Sequence, residues 1–270
     1  MSKKVKVLVL RTAGTNCDAE TAFAFKHFGA QVDLVHVDQS VKEKISLKDY
    51  HILAVPGGFT YGDDIESGRI LANELRLKLG KSMCQFMMDG KLMIGICNGF
   101  QILVRAGILP GALDAQEEKN HDSAQKVTLT NNDSGKFEDR WIHLKVEGNS
   151  VWTKGLSDIV YFPVAHAEGK FLTKDQETLK KLNVNHQVVF RYTAKDGKSP
   201  GYPENPNGSV EHIAGVTDRS GRVLGLMPHP ERHFFFTQHP FWTRLPKNGR
   251  YGDGAKIFEN GVNYVKKNLL

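Results

Sequence analysis

The sequence predicts an α/β protein: a twisted, largely parallel sheet with helices on both faces, plus a small added β region. Three observations carry this. Up to Pro110, short apolar runs of strand length alternate with helical patterns, which is the rhythm of a parallel sheet covered on both sides. Beyond Pro110 strand-like runs dominate and helices become rare. The 270 residues are 40% hydrophobic and 24% charged, a globular balance that excludes a disordered or collagen-like chain.

Val5–Arg11 reads as the first strand. A helix follows over Ala19–Phe28, with Phe25 and Phe28 three apart and Gly29 placed as a C-terminal glycine. Val32–Val37 alternates apolar residues as a second strand, and His51–Val55 is a third, closed by the turn Pro56-Gly57-Gly58. Ser67–Leu79 has a helical pattern, with an apolar patch after it at Met83–Met88. Lys91–Ile96 is a fourth strand and leads into a helix over Gly99–Ala106. Further strands are read at Lys126–Thr130, Trp141–Val146, Ile159–Pro163, Gln187–Tyr192, Glu211–Val216 and Val223–Met227. Some of these are expected to continue the central sheet and others to form a smaller mixed or antiparallel one. Thr173–Leu182 is the single helical candidate among them, and Thr193–Gly208 is a loop rich in glycine and proline. Gly254–Asn268 closes the chain as an amphipathic helix with Ile257, Phe258, Val262 and Val265 on one face. The whole reads as one domain.

Charge and cysteine usage narrow the function. The net charge of +6 divides evenly, +3 in residues 1–110 and +3 in 111–270, with no basic arm to follow a phosphate backbone. No nucleic-acid partner is expected. No stretch approaches the ~20 apolar residues of a membrane-spanning helix, and the run Val7–Leu10 is shorter than the ~7–15 residues of a signal core. Cys17, Cys84 and Cys97 form an odd set without a C-x-x-C pair, which speaks against a disulfide framework or zinc site and for a reducing, cytoplasmic setting.

Gly95-Ile96-Cys97-Asn98-Gly99 is the segment richest in chemistry. A strand runs into Cys97 and a helix starts after it, while the flanking glycines permit a sharp turn. This is the cysteine form of the G-x-S-x-G nucleophile elbow. The helix N-terminus beside the sulfur favours the thiolate, and the Asn98 N–H is placed to bind an oxyanion. The bland alternative is a buried cysteine on a core strand. A nucleophile needs a base and an orienting group, and Met227-Pro228-His229-Pro230-Glu231-Arg232 offers both. His229 and Glu231 stand two apart in what reads as an extended segment, so both point one way. His229 and His233 are four apart, as in a metal-binding helix, but Pro230 opposes that helix and the glutamate is misplaced for the motif. No metal is expected. The Gly57-Gly58 turn could cradle an anion, and Gly58 N–H is read as the second oxyanion donor. Gly80-Lys81-Ser82 has Leu75 where a phosphate loop needs glycine.

Gly95-Ile96-Cys97-Asn98-Gly99-Phe100-Gln101 together with Pro228-His229-Pro230-Glu231-Arg232 resembles the class I, triad-type glutamine amidotransferases of flavodoxin-like fold, most closely the glutaminase subunits of phosphoribosylformylglycinamidine synthases. Ala13–Asp18, Pro56–Asp63, Gly107–Leu113, Asn132–Trp141 and Pro163–Gly169 extend the likeness, from about residue 5 to 235. Arg11-Thr12 and Ala167 depart from the family pattern and leave the triad untouched.

The resemblance implies Cys97 as nucleophile, His229 as base and Glu231 as its orienting partner. Gln101 is implied to help hold glutamine, with Asn132, Gly135 and Phe137 on the segment that lies across the substrate amino acid. It implies a family core over residues 1–235 with 236–270 as a C-terminal extension, and no cofactor in this chain. ATP and Mg are expected on a synthase partner that amidates formylglycinamide ribonucleotide, with a small accessory subunit alongside. Cys17 matches the pattern without an assigned job, and a packed thiol is expected there. The rival functions are hydrolysis of another γ-glutamyl substrate and a catalytically silent regulatory subunit. His233–Leu270 reads as core packing or as an edge for docking a partner.

Overall fold

The computed structural model describes residues 4–41, 45–63, 68–113, 125–245 and 249–270. Ser67, at the expected start of a helix, and Met1–Lys3 lie outside these residues.

Nine strands form one sheet in the order β2-β1-β3-β4-β11-β10-β9-β6-β7. Its first five members run parallel: β2 (Gln31–His36), β1 (Lys6–Arg11), β3 (Ile52–Val55), β4 (Leu92–Ile96) and β11 (Val223–Leu226). Their sequences explain their places. In β3, β4 and β11 every residue is buried, as unbroken apolar runs demand when both faces are covered. β2 sits at the edge, where Val35 is its one buried residue and Leu34 is left 40% exposed. The other four strands extend the sheet antiparallel: β10 (Ile213–Thr217), β9 (Val188–Thr193), β6 (Glu138–Val146) and β7 (Ile159–His166). β5 (Val127–Thr130) and β8 (Lys170–Thr173) make the separate two-stranded antiparallel sheet.

Helices cover both faces. α1 (Asp18–His27) packs on α7 (Ala255–Asn268), where the Phe25 and Phe258 rings meet edge-on at 5.0 Å. The four apolar residues expected on one face of α7 are all fully buried, so this helix closes the core. A short α2 (Val37–Val41) follows β2. The Ser67–Leu79 pattern and the Met83–Met88 patch prove to be one helical path. It comprises α3 (Arg69–Glu74), a π turn at Leu75–Leu79 and α4 (Gly80–Met88). α5 (Asn98–Arg105) starts at the end of β4 and packs on β3, β4 and β11.

Three of the differences from the sequence reading have a physical reason in the structure. β7 continues past Pro163 to His166; it is the outer strand, where proline's missing N–H costs no ladder bond. β8 is only four residues long and carries no alternation to reveal it. Thr173 belongs to β8, and α6 (Gln176–Val184) begins later because Asp175 caps it, accepting Thr178 N–H at 2.7 Å.

Candidate active site

The carboxyl ends of β3, β4 and β11 lie side by side and carry three segments into one place. At the end of β4, Cys97 has φ 52° and ψ −110°, a strained conformation for a residue with a side chain. It forms the turn between β4 and α5. The elbow exists because Gly99 allows it: a Cβ there would stand 1.8 Å from the Val55 carbonyl oxygen. Cys97 N–H donates to Leu226 O at 2.8 Å, tying the elbow to β11, and its thiol faces the Ala165 carbonyl at 3.7 Å.

Beyond β11, His229 N–H donates to Pro163 O at 2.9 Å, which anchors the segment to β7. Glu231 then lies in a 3-10 turn, Pro230–His233, rather than in the extended segment expected from the sequence. The turn brings its Oε1 to 2.6 Å from His229 Nδ1. Both residues are 2% exposed. His229 Nε2 and Glu231 Oε2 have no hydrogen-bond partner among the described residues. Burial works against charge on the imidazole. The Glu231 carboxylate and the Cys97 and Cys17 sulfurs outweigh it and hold the ring's pKa well above its ordinary value.

At the end of β3, a Cβ on Gly57 would lie 2.7 Å from His229 Cε1, 3.2 Å from Cys17 Sγ and 3.4 Å from Cys97 Cβ. Only glycine fits between these three side chains. Gly58, at φ +146°, pairs with Thr15 in an isolated antiparallel bridge whose bonds run through Phe59 N to Gly14 O and Asn16 N to Gly57 O. The ladder leaves the Gly58 N–H unspent.

A buried polar relay holds these turns together. Asn98 Oδ1 accepts from Thr60 Oγ1 at 2.8 Å, Asn98 Nδ2 donates to Gln101 Oε1 at 3.0 Å, and Gln101 Nε2 donates to the Glu168 carbonyl. Gln101 thereby positions the walls and keeps one N–H to spend. Asn132 spends its side chain inside the protein. Its Nδ2 donates to Lys136 O and His166 O, and its Oδ1 accepts from Gly169 N and His166 Nδ1, so every position of the amide is taken. Its side chain staples the loop and has no hydrogen-bonding position left for a ligand. Gly135 is exposed at φ +63°. Phe137 is 49% exposed, and its ring reaches that of Phe59 beside the Gly58 turn at 6.3 Å.

Cys17 is the residue whose place the sequence did not reveal. It lies just beyond β1, the strand beside β3, and only that adjacency could have found it. Its buried sulfur stands 3.8 Å from His229 Nδ1 and accepts from Arg232 Nη2 at 3.1 Å. Burial pushes its pKa up, so it remains a thiol. Ligand atoms of Cys17, His229 and Glu231 lie within 4.8 Å of one another, a spacing that suggests a metal. The distances describe a hydrogen bond instead. Two ligands of one zinc ion at ~2.0 Å each stand about 3.3 Å apart, well beyond the separation of Nδ1 and Oε1, and a guanidinium already occupies the thiol.

Residues 4–265 match the model of the CobB/CobQ-like glutamine amidotransferase domain. The chain is 50% identical over 270 residues to phosphoribosylformylglycinamidine synthase subunit PurQ of Dehalococcoides mccartyi, covering 98% of this chain and 99% of that protein. It is 42% identical over 276 residues to the PurQ subunit of Archaeoglobus fulgidus, covering 98% of each. Among solved structures, that of PurLQS from Thermotoga maritima contains a chain superposing with a TM-score of 0.72 at 31% identity, over 97% of this chain and 100% of that one. A match of this length and identity, on a chain whose elbow cysteine faces a buried histidine–glutamate pair, places the protein in the glutamine amidotransferase family, among the PurQ subunits of phosphoribosylformylglycinamidine synthase.

Proposed function

We propose that this chain hydrolyses glutamine to glutamate and passes the ammonia to a synthase partner, which converts formylglycinamide ribonucleotide to formylglycinamidine ribonucleotide with ATP in purine biosynthesis. The observation that carries the reading is the strained Cys97 elbow beside the buried His229–Glu231 pair. Cys97 Sγ attacks the side-chain amide carbon, and the oxyanion takes the N–H groups of Gly58 and Asn98. His229 gives a proton to the departing ammonia. The same ring then takes one from the water that hydrolyses the thioester. Glu231 fixes the ring's tautomer and supports its charge. Gln101 and the backbone around Gly135 and Phe137 hold the amino-acid end. A glutamine-like electrophile tests this directly: mass spectrometry is expected to find the label on Cys97. A label on Cys17 or Cys84, or none, overturns it.

His229 must be charged to release its proton, so activity falls as pH rises through the ring's pKa. Because the Glu231 carboxylate is the leading cause that raises that pKa, Glu231→Gln moves the alkaline limb of the kcat/KM profile to lower pH. His229→Ala costs more than Glu231→Gln, since it deletes the base rather than its support. The reverse ranking sinks the assignment.

ATP and Mg would bind the synthase subunit, with a small accessory subunit joining the complex in the cytoplasm. The structure of PurLQS supports such an assembly, and no helix among the described residues is long and apolar enough to cross a membrane. Isolated, the chain is expected to be a poor glutaminase, with the Gly58 turn completed when the synthase docks. A coupling of about 3 kcal/mol raises its rate about a hundredfold. Steady-state glutaminase rates with and without the partner and its nucleotides check this; equal rates refute it.

A further inference from the structure

Cys17 is held in the site more firmly than packing requires, and no step above uses it. Its main chain is fixed on both sides. The N–H donates to the Gly57 carbonyl at 3.2 Å, and the Cys17 carbonyl accepts from Thr21 N at 3.1 Å and Thr21 Oγ1 at 2.7 Å. The side chain is as constrained. Burial keeps it a neutral thiol with one hydrogen to give, and Asn16 Oδ1 stands at 3.1 Å to take it. The sulfur's lone pairs are left for two nitrogens. One is Arg232 Nη2 at 3.1 Å, whose guanidinium also reaches Glu20 on α1 through Nε at 3.8 Å. Arg232 thereby bridges the Pro230–His233 turn to that helix. The other is His229 Nδ1 at 3.8 Å.

The imidazole has a use for this second neighbour. Its bond to Glu231 Oε1 is short, at 2.6 Å, but a ring tied at one atom can pivot about that tie. Nε2, which must meet the departing ammonia, lies across the ring from Nδ1, so a pivot there displaces the proton it carries. Two contacts oppose the pivot. A Cβ on Gly57 would come within 2.7 Å of His229 Cε1 and 3.2 Å of Cys17 Sγ, so ring and sulfur close on the same glycine. We propose that Cys17 is a positioning residue for the base: its sulfur, steadied by Arg232, holds the His229 ring at the angle from which Nε2 serves the reaction. The proposal rests on the amidotransferase reading and gives a task to a thiol that the chemistry itself leaves alone.

A ring at the wrong angle leaves glutamine binding intact and slows proton transfer, so the loss falls on kcat. In the complex with the synthase, Cys17→Ala is expected to lower kcat for glutamine about 10- to 30-fold, with KM within about twofold of the parent. Cys17→Ser puts a polar atom back at that place and recovers most of the loss. A thiol that only packs gives the opposite ranking, since alanine suits a buried place better than an added hydroxyl. Unchanged kcat in a folded Cys17→Ala protein, a loss confined to KM, or serine worse than alanine overturns the proposal. Ammonia-dependent synthesis by the same preparation reports that the complex has assembled. Arg232→Met covers the case in which neither Cys17 variant folds, because the Arg232 side chain is 36% exposed. Losing the guanidinium that steadies the sulfur is expected to lower kcat about three- to tenfold at constant KM, and an unchanged kcat overturns the proposal. Failure of the parent reading looks different: the unsubstituted chain would then escape labelling at Cys97.

Discussion

Replacing Cys97 with serine removes glutamine-dependent synthesis by the complex, lowering it about 10⁴-fold, while synthesis from free ammonia continues. The hydroxyl is a far weaker nucleophile near neutral pH than the sulfur, and the elbow positions it no better. The change is nearly isosteric, so the contacts that hold the elbow survive: Cys97 N–H on Leu226 O and the packing of Gly57 against the Cys97 Cβ. Assaying one preparation with glutamine and then with an ammonium salt checks both halves. Loss of both activities together makes Cys97 a structural residue and ends the assignment.

Gly99→Ala has the largest expected effect on stability. The new methyl would stand 1.8 Å from the Val55 carbonyl oxygen and 2.6 Å from its carbon, both backbone atoms of a fully buried strand. Nothing there is the far end of a flexible side chain. Either α5 lifts from the sheet or β3 bends, and the Gly57-Gly58 turn at the end of β3 moves with it. We expect a loss of about 3 kcal/mol, a fall in Tm of roughly 6–12 °C, and glutaminase activity reduced even in the folded fraction. Thermal unfolding beside a glutaminase assay reads both. A Tm within a degree or two of the parent contradicts the tight approach of α5 to β3.

The sequence revealed the parts whose chemistry is local. Cys97 was legible because an elbow needs glycine at both shoulders, and the His229–Glu231 pair because both groups stand within one short segment. The parallel half of the sheet followed from unbroken apolar runs. Properties created by pairing were hidden. Pro163 looks like the end of a strand until its place at the sheet edge is known. The full engagement of the Asn132 amide by Lys136, His166 and Gly169 shows only once the fold brings those residues together. Cys17 could be placed against His229 only through the order of strands, which sets the ends of β1, β3, β4 and β11 side by side although many residues separate them.

That order also governs when the enzyme can first act. The nucleophile sits on β4, but its base arrives with β11, the last strand in the chain, which pairs directly with β4. A ribosome adding ~5–20 residues per second needs several more seconds to reach His229 after finishing Cys97. During that interval the nascent chain has its thiol and no proton donor. Maturation of the catalytic centre is thereby timed to the end of translation, and a prematurely terminated product lacking β11 would consume no glutamine.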